Sequence, residues 1–492
     1  MWSWACTATS AGCTADPVAS RRDLYQSYQF LVRRVVSGLV LRETDPAQDP
    51  LKRSTGAVFA GVMVAVLSLA VTGVIGVIRP GGNTSWQESG AVLVEEGTGA
   101  RYVWLEGAGG DFALHPVTDY ASAVLLAGTT ETVSVSRESL GDAPRGQRLG
   151  IVGGPDSLPP ADAVSADPWT LCAAPVELSS GETEPRTALL VGGGARGGAE
   201  LGEAMVLVRD VEDGTLHVVW GGRQFPVPDE QVLLEGLVLR DEPQVQVGTA
   251  WLDGLPEGRA LAPEPVADRG QPSSAVPGGV VGQVRVVQSP NGDEQYYQVD
   301  VDAIVEITQV QSTLLLADPD IQGSVYGGAR PEALPLSAAE ANATDRVALP
   351  EPTSADPPAE QPPVADPSSE STTLCAAFAG AQEPARVSLG AEVDTAAAAD
   401  TPQRSSEGTV LADAVVVPPG GGALVRSLSS ATAGTGPLFL VTDDGRRFAV
   451  PDDEVAATLG YADVEALALP ESLVARVPQG PALDPVAAAA PA

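Results

Sequence analysis

Residues 216–232, LHVVWGGRQFPVPDEQV, carry the clearest local pattern in the long C-terminal region. Two short apolar runs flank Gly221 and Gly222, and paired glycines suit the positive φ angles of a tight hairpin turn. The Pro-Asp-Glu that follows is typical of a helix start, because acidic side chains favour a helix N-terminus. The pattern therefore predicts a strand, a tight turn, a second strand and a helix.

The same order recurs at residues 438–455, LFLVTDDGRRFAVPDDEV. Two weaker copies begin at Arg101 and Glu294, where apolar and polar residues again alternate. Such recurrence is typical of a region built from repeats and not of one large enzyme domain. We therefore expect a mixed fold: a helical N-terminal segment, then a β-rich (α+β) region of about four related repeats around a core.

Residues 350–371 interrupt this pattern with prolines, acids and serines. Such a composition cannot form a core and indicates an extended linker or loop. It would divide the repeat region into a first part, residues 79–349, and a C-terminal part, residues 372–492. Its prolines are Pro350, Pro352, Pro357, Pro358, Pro362, Pro363 and Pro367.

An apolar stretch at residues 57–78, AVFAGVMVAVLSLAVTGVIGVI, carries no charge and has Ala57 and Ile78 at its ends. As a helix it would extend about 33 Å, enough to cross a hydrocarbon core of about 30 Å. The alternative is a cleaved signal peptide, whose apolar region would be shorter, about 7–15 residues, with a small-residue cleavage site. Arg79 and Pro80 follow instead, so the sequence predicts a retained single-pass transmembrane helix.

Charge on the two sides of this stretch predicts its orientation. Of the 28 basic and 64 acidic residues, seven basic and five acidic ones precede it, which leaves 21 basic and 59 acidic residues beyond it, a net charge of −38. An excess of Lys and Arg marks the cytoplasmic side of a span. We expect a plasma-membrane protein with a cytoplasmic N-terminus and a large extracytoplasmic domain. The topology-setting basic residues are Arg33, Arg34, Arg42, Lys52 and Arg53.

Residues 21–56 form the predicted cytoplasmic segment, and residues 21–42 have the periodicity of an amphipathic helix. Its apolar residues recur at spacings of three and four, which places them on one face. This face can dock on partner helices; the alternative is packing on the membrane surface alone. Residues 1–20 are predicted to be an unstructured tail, most of which a translation start at Val18 would remove. The docking face comprises Leu24, Tyr28, Leu31, Val35 and Leu39.

Composition removes most enzyme mechanisms. Lys52 is the only lysine and is followed by Arg53, so the chain has no Walker A loop and no lysine for Schiff-base chemistry elsewhere. Two histidines, His115 and His217, are too few for a His-rich metal site, and both fall at predicted strand positions. The G-x-G-x-x-G match at residues 192–197 lacks the long helix that a dinucleotide site needs. We expect no catalytic residue, metal or cofactor, and the acidic charge excludes nucleic acid as a partner.

Cys172 and Cys375 lie in matching contexts, Leu-Cys-Ala-Ala in each case. Both fall in the predicted extracytoplasmic region, where an oxidising environment allows disulfides to form. We predict that the two cysteines form a disulfide; the alternative is a pair of buried free thiols. The bond would close a loop of about 200 residues and stabilise the fold by up to ~5 kcal/mol.

Four longer motifs carry a family resemblance. They are RRDLYQSYQFLVRRVVSGLV at residues 21–40, PRGQRLGIVGGPDSLP at 144–159, WTLCAAP at 169–175 and GYADVEALALPESLVARVPQGPALDP at 460–485. Over about residues 20–490 the chain resembles EccB, the single-span membrane component of actinobacterial type VII (ESX) secretion systems. It departs from the family at residues 118–120, where Thr-Asp-Tyr stands in place of the more frequent Leu-Asn-Tyr.

The resemblance implies a structural role in protein transport. EccB-like proteins assemble in the inner membrane with an EccC-like ATPase, EccD-like and EccE-like membrane proteins, a mycosin-like protease and other EccB copies. In that setting the cytoplasmic helix packs within the membrane complex, beside lipid, and the extracytoplasmic repeats pair with other copies. Some family members carry an ATPase label, and the shortage of lysine counts against it here. The alternatives are a membrane-anchored cell-wall-binding or sensing ectodomain, or a weak ATPase.

Overall fold

The computed structural model describes residues 20–42, 52–78, 84–88, 90–107, 109–367, 369, 372–396 and 398–492. The chain divides into two compact units, residues 1–82 and residues 83–492. Most of the predicted N-terminal tail, residues 1–19, lies outside the described residues, as do residues 43–51. Two helices are described in the N-terminal unit, α1 (Arg21–Leu41) and α2 (Lys52–Ile78).

Helix α1 begins where its local sequence directs. The Ser20 hydroxyl accepts a hydrogen bond from the Asp23 backbone amide, and the Asp23 carboxylate accepts one from the Ser20 amide, which together form a capping box. Helix α2 contains both predicted span ends, Ala57 and Ile78, and begins five residues earlier at Lys52. Among the described residues, no helix combines the length and the apolar character needed to cross a membrane.

The first repeat of the C-terminal unit is a four-stranded sheet with the strand order β3-β2-β1-β4. It is preceded by a 3₁₀ turn, Ser85–Gln87, and followed by a short helix and a second 3₁₀ turn, Ala161–Ala163. Three strands of the central sheet come next. The elements are β1 (Val92–Glu95), β2 (Arg101–Glu106), β3 (Phe112–Pro116), α3 (Tyr120–Ala127), β4 (Thr132–Val135), α4 (Arg137–Leu140), β5 (Trp169–Glu177), β6 (Thr183–Leu190) and β7 (Ala199–Glu200).

The second and third repeats follow in sequence. The second has the strand order β10-β9-β8-β11, and the third has a fifth strand at its edge, in the order β15-β12-β13-β14-β16. Their elements are β8 (Val206–Asp210), β9 (Leu216–Trp220), β10 (Arg223–Pro226), α5 (Glu230–Gly236), β11 (Gln244–Val247), α6 (Thr249–Gly254), β12 (Val284–Gln288), β13 (Glu294–Val299), β14 (Ile304–Ile307), α7 (Gln309–Ala317), α8 (Pro319–Ser324), β15 (Leu334–Pro335), α9 (Ala338–Ala343) and β16 (Arg346–Val347).

The chain then returns to the central sheet before it forms the fourth repeat, whose strand order is β23-β22-β21-β24. A π-type turn, Ala457–Tyr461, follows the helix of this repeat. The elements are β17 (Leu374–Phe378), β18 (Arg386–Leu389), β19 (Ala398–Asp400), β20 (Ala414–Val416), β21 (Gly422–Leu428), β22 (Leu438–Thr442), β23 (Arg447–Val450), α10 (Asp453–Ala456), β24 (Leu467–Pro470), α11 (Glu471–Val474) and α12 (Pro485–Ala488).

All four repeats share one topology. Three strands run antiparallel, a helix follows, and the chain returns in a strand that pairs parallel with the first one. The predicted Gly-Gly turn joins β9 to β10, with φ of 57° at Gly221 and 75° at Gly222. The sequence patterns correspond to the second strand, the third strand and the helix of each repeat. They missed the first and last strands, and the prediction of a mixed, β-rich fold is confirmed.

The central sheet joins chain segments from both sides of residue 350. Its order is β19-β20-β6-β5-β17-β18-β7, so strands from residues 169–200 and from residues 374–416 alternate within it. The predicted division at residues 350–371 therefore runs through a single sheet. A long-range antiparallel pairing of β5 with β17 holds the two parts side by side.

The predicted linker or loop at residues 350–371 has little regular structure and makes backbone hydrogen bonds to the repeats. The Met205 amide donates to the Pro363 carbonyl (2.9 Å), and the Ala365 amide donates to the Met205 carbonyl (2.8 Å). The Val310 amide at the start of α7 donates to the Ala359 carbonyl (3.1 Å). The first two bonds form an isolated parallel β-bridge between Met205 and Val364, and Pro363 takes part through its carbonyl because proline has no amide donor.

The repeats bury their helices in pairs. The first and fourth repeats share one apolar core, to which Val92 and Val124 contribute from one side and Leu440 and Phe448 from the other. Helices α5 and α7 pack against each other, and they place the second and third repeats around another core. A four-residue strand or a one- or two-turn helix buries little surface alone, so each repeat depends on its neighbour.

Candidate functional site

The disulfide lies in the middle of the seven-stranded central sheet. In the antiparallel pair β5–β17, Cys172 stands directly opposite Cys375, with 4.0 Å between their Cα atoms. Both residues are buried, among Ala188, Leu190 and Ala391. The structure confirms the predicted bond between these cysteines, and the alternative of two free thiols is wrong. A buried disulfide is closed to attack by thiolates, so its role here is structural.

Hydrogen bonds around the disulfide also join distant parts of the chain. The Trp251 indole Nε1 donates to the Leu171 carbonyl at 3.1 Å, one residue from Cys172. The Thr187 amide of β6 donates to the Asp413 carboxylate at 2.7 Å. These bonds fix α6 and β20 against β5 and β6, so the disulfide is one part of a larger rigid centre.

A buried arginine extends this centre to the fourth repeat. Arg476 is 6% exposed and donates to the Asp253 carboxylate (3.2 Å) and to the Val410 carbonyl (2.6 Å). Burial lowers the pKa of Arg476, and the neighbouring Asp253 carboxylate opposes this shift. Because the guanidinium bonds to chain segments that lie far apart in sequence, it stabilises the packing of α6 against the end of α11.

The predicted docking face of α1 is exposed within the N-terminal unit. Its five apolar residues have exposed fractions between 54% and 79%. They follow one side of the helix, which spans 21 residues. An apolar stripe of this length is suited to burial against lipid or another helix. Its residues are Leu24, Tyr28, Leu31, Val35 and Leu39.

The residues predicted to set the topology lie on or beside the two helices of the N-terminal unit. Arg33 and Arg34 are in α1, and Arg42 caps its C-terminus in a left-handed conformation with φ of 56°. Lys52 and Arg53 are the first residues of α2, and their side chains lie outside the described part of the chain. Ala57 is exposed in the first half of α2, and Ile78 ends the helix.

The two histidines have structural hydrogen bonds. His115 in β3 lies with Nδ1 at 2.9 Å from the Gln147 carbonyl. His217 in β9 lies with Nδ1 at 2.7 Å from the Gln224 amide oxygen and with Nε2 at 3.1 Å from the Thr215 hydroxyl. Among the described residues, no group of three or more His, Cys, Asp or Glu side chains could hold a metal ion. The G-x-G-x-x-G match lies in the loop between β6 and β7.

One feature was missed in the sequence. A cleft beside the fourth repeat is lined by Arg404, Arg446 and Arg447. The adjacent pair Arg446-Arg447 stands out in a chain with more than twice as many acidic as basic residues. The sequence could have indicated this cleft through the adjacent arginines. It could not indicate Arg404, because that residue comes from a separate loop that only the fold brings near.

Comparison with known proteins identifies a family. The family model "Type VII secretion system ESX-1, transport TM domain B" matches residues 18–491. A Mycobacterium tuberculosis protein named "ESX-3 secretion system ATPase EccB3" is 30% identical over 61% of this chain and 58% of its own length. The Mycolicibacterium smegmatis protein of the same name is 28% identical over 94% of this chain and 89% of its own length.

Solved structures show the same fold. A chain of an intact ESX-5 inner membrane complex has a TM-score of 0.58 at 22% identity, over 97% of this chain and 96% of that one. The EccB3 dimer from the ESX-3 core complex gives 0.56 at 23% identity, over 81% of this chain and all of that one. The match to the M. tuberculosis relative spans 58% of that relative's length. Because the family model covers nearly the whole sequence, the chain belongs to the EccB family, transport TM domain B of type VII (ESX) secretion systems.

Proposed function

We propose that the chain is a structural component of a type VII protein secretion complex and scaffolds it through its cytoplasmic helix, single span and exported domain. The observation that carries this proposal is the family match over residues 18–491, which includes the N-terminal helices as well as the repeats. The solved relatives come from an inner membrane complex and from a dimer of an ESX-3 core complex, in the words of their descriptions. A protein with this fold is therefore found in assemblies of the proposed kind.

The proposed location is the plasma membrane, with residues 57–78 of α2 as the span. The 22-residue stretch is uncharged, and the N-terminal side has a charge excess of two, against −38 on the other side. The buried disulfide supports export of the repeats, because stable structural disulfides belong to oxidising compartments. The N-terminus and α1 are then cytoplasmic, and the C-terminal domain is extracytoplasmic.

Single cysteines can test this topology. In a chain with Cys6 and Cys13 changed to alanine, Ser180→Cys introduces an exposed thiol in the turn between β5 and β6. We expect a membrane-impermeant maleimide to label it in intact cells stripped of their outer layers. The matched variant Gln26→Cys, on α1, is expected to react only after the plasma membrane is permeabilised. Labelling of Gln26→Cys before permeabilisation, or of both sites equally, contradicts the proposed span.

The proposed partners are those of the family. The exposed α1 face would dock on membrane helices of EccC-like, EccD-like and EccE-like proteins, and α2 would contact lipid. The four repeats would pair with other EccB copies and with a mycosin-like protease. Repeats that share cores in pairs make a rigid exported body, which suits an assembly role.

Catalysis is not part of the proposal. Relatives are named ATPases, yet the only lysine of this chain is Lys52, beside the predicted span on its cytoplasmic side. An exported domain would also meet little ATP. The competing functions are a membrane-anchored cell-wall-binding or sensing ectodomain and a weak ATPase. Purification of the native assembly from mild detergent separates the scaffold from the cell-wall-binding or sensing ectodomain, because a scaffold copurifies with the secretion machinery. A weak ATPase would instead require hydrolysis that persists after removal of the EccC-like ATPase and is lost on a point change in the exported domain.

A further inference from the structure

Val238 is the most exposed of the large apolar residues that the structure describes, with an exposed fraction of 84%. It follows helix α5, and its backbone is left-handed, with φ of 58°. This conformation brings the Cβ atom of an L-residue close to the next carbonyl oxygen, and it is a clear outlier for a β-branched residue. Glycine is the usual residue at this place after a helix, because it has no Cβ atom. The chain therefore holds a valine where glycine would be less strained and where the valine side chain gains little packing.

Neighbouring contacts hold this turn in place. The Leu239 amide donates to the Leu234 carbonyl at 2.9 Å, which is a closing bond of the Schellman motif. Both leucines are buried in the core to which α5 and α7 contribute. The Gln361 side-chain amide donates to the Leu237 carbonyl at 3.1 Å. Because the residues on both sides are fixed, Val238 forms a rigid apolar knob on the surface, and strain that the fold maintains in this way is typical of functional positions.

A small pocket lies where the turn between β9 and β10 meets strand β18. Its volume is about 160 Å³. The Trp220 indole donates to the Glu203 carbonyl at 3.2 Å, which fixes the ring in the wall. Gly222 approaches Ala385 so closely that a Cβ atom would lie 2.4 Å from the Ala385 carbonyl oxygen. The pocket is therefore preformed. Its apolar lining includes Leu201, Ala204, Val219, Trp220, Ala385 and Val387.

We propose that two copies of this chain pair through these features, with Val238 of one copy in the pocket of the other. The inference rests on the proposed function, in which the repeats pair with other EccB copies, and it names the surface. An apolar cavity of about 150 Å³ holds a group as large as benzene, and the isopropyl group of valine is smaller. A second copy is favoured over another protein because one chain carries both the knob and the pocket. Reciprocal exchange gives a closed dimer with two such contacts.

Charges beside the knob and the pocket are complementary. The rim of the pocket has one residue of each sign, Arg386 and Glu200. The knob is flanked by the ion pair of Arg240 with Glu235 and by the exposed Asp241. Of the ion pairs formed between described residues, none includes Asp241 or Arg386. Contact between copies would give each of these two charges a partner, which sets the register of the pair.

Cysteine cross-linking tests the contact directly. Two differently tagged forms of the full chain, both with Cys6 and Cys13 changed to alanine, are produced together in native membranes. One carries Val238→Cys and the other Ala204→Cys. A disulfide needs Cα atoms within about 7 Å, so only a knob inside the pocket brings these positions into reach. We expect mild oxidation to give a linked dimer with both tags. The matched pair of Ser180→Cys, in an exposed turn, with Ala204→Cys should give none.

Val238→Gly separates a binding role from a merely structural one. Glycine relieves the backbone strain, so we expect a thermal unfolding midpoint no lower than that of the wild type. Loss of the buried isopropyl group is expected to weaken self-association at least tenfold, measured as the dissociation constant of the purified full chain in detergent. Ala204→Phe fills the pocket and should cause the same loss. Val152→Gly changes another exposed valine, with an exposed fraction of 77%, and should leave self-association unchanged.

Three results would overturn the proposal: no mixed dimer on oxidation, equal cross-linking in the Ser180→Cys control pair, or unchanged self-association in Val238→Gly. If Val238→Gly loses another protein from the complex while its self-association persists, the knob binds that protein and the assignment to a second copy is wrong. Should Ala204→Phe fail to fold, Val238→Gly and the cross-link still decide. Failure of the proposed function is separate, because the wild-type chain would then not copurify with an EccC-like ATPase and an EccD-like protein.

Discussion

Changing both Cys172 and Cys375 to alanine is expected to lower the free energy of unfolding by about 5 kcal/mol. The disulfide closes a loop with a sequence separation of 203 residues. A cross-link over so long a loop removes much conformational freedom from the unfolded chain, which places it at the upper end of the usual range. It also joins β5 to β17, which belong to the two separate chain segments that form the central sheet. Alanine is preferred to serine because both sites are buried and a hydroxyl would lack a partner.

Denaturant titration followed by tryptophan fluorescence measures this loss, and Trp169 in β5 lies near the bond. The matched control is the double change Cys6→Ala and Cys13→Ala, which removes two cysteines outside the described residues and should leave the midpoint unchanged. Reduction in mild denaturant should reproduce the effect in the wild type alone. A loss below about 1 kcal/mol in the Cys172 and Cys375 double variant would show that the disulfide does not hold the sheet together.

The double change Leu31→Glu and Val35→Glu is expected to abolish assembly and, with it, protein export. Both side chains belong to the exposed apolar face of α1 and are 63% and 54% exposed, respectively. If this face docks on partner helices, each change loses the burial of an apolar side chain, about 1.5–3 kcal/mol, and buries a carboxylate as well. The combined penalty of roughly 5 kcal/mol or more corresponds to over a thousandfold weaker binding.

The matched control carries the same charge on the opposite side of the helix. Around the helix, Gln26 lies about 180° and Gln29 about 120° from the centre of the apolar face, so Gln26→Glu and Gln29→Glu leave this face intact. We expect this variant to copurify with the complex and to support export at the wild-type level. Membrane-surface packing alone predicts another pattern, in which both variants still assemble. Assembly of both variants would show that the apolar face of α1 does not dock on partner helices.

Local signals in the sequence predicted the local structure well. The Gly221-Gly222 pair and the acidic run after it lie where the hairpin and α5 are found, because turns and helix starts depend on neighbouring residues. The closing strand of each repeat was missed, since its parallel partner lies far away in sequence. Leu207 of β8, for example, pairs with Gln244 of β11, which lies 37 residues further along the chain and has only four residues.

Long-range packing explains the other differences. The proline-rich segment lacks the pattern of a helix or strand, but its backbone carbonyls still find donors on the repeats, such as the Met205 amide. The composition of a segment indicates that it cannot form a helix or a strand, but it does not show which residues the segment contacts. The disulfide was predictable because the two Leu-Cys-Ala-Ala contexts placed both cysteines in similar strands. The arginine cleft was not, because Arg404 and Arg447 meet only in the folded chain.

Purification of the tagged chain from native membranes in mild detergent, with the bound proteins identified and the mass of the assembly measured, is the decisive test of the scaffold role. We expect one stable complex that contains several copies of this chain, an EccC-like ATPase and an EccD-like multispan protein. A single chain without these proteins, bound instead to isolated peptidoglycan, would contradict the scaffold role and favour the cell-wall-binding alternative.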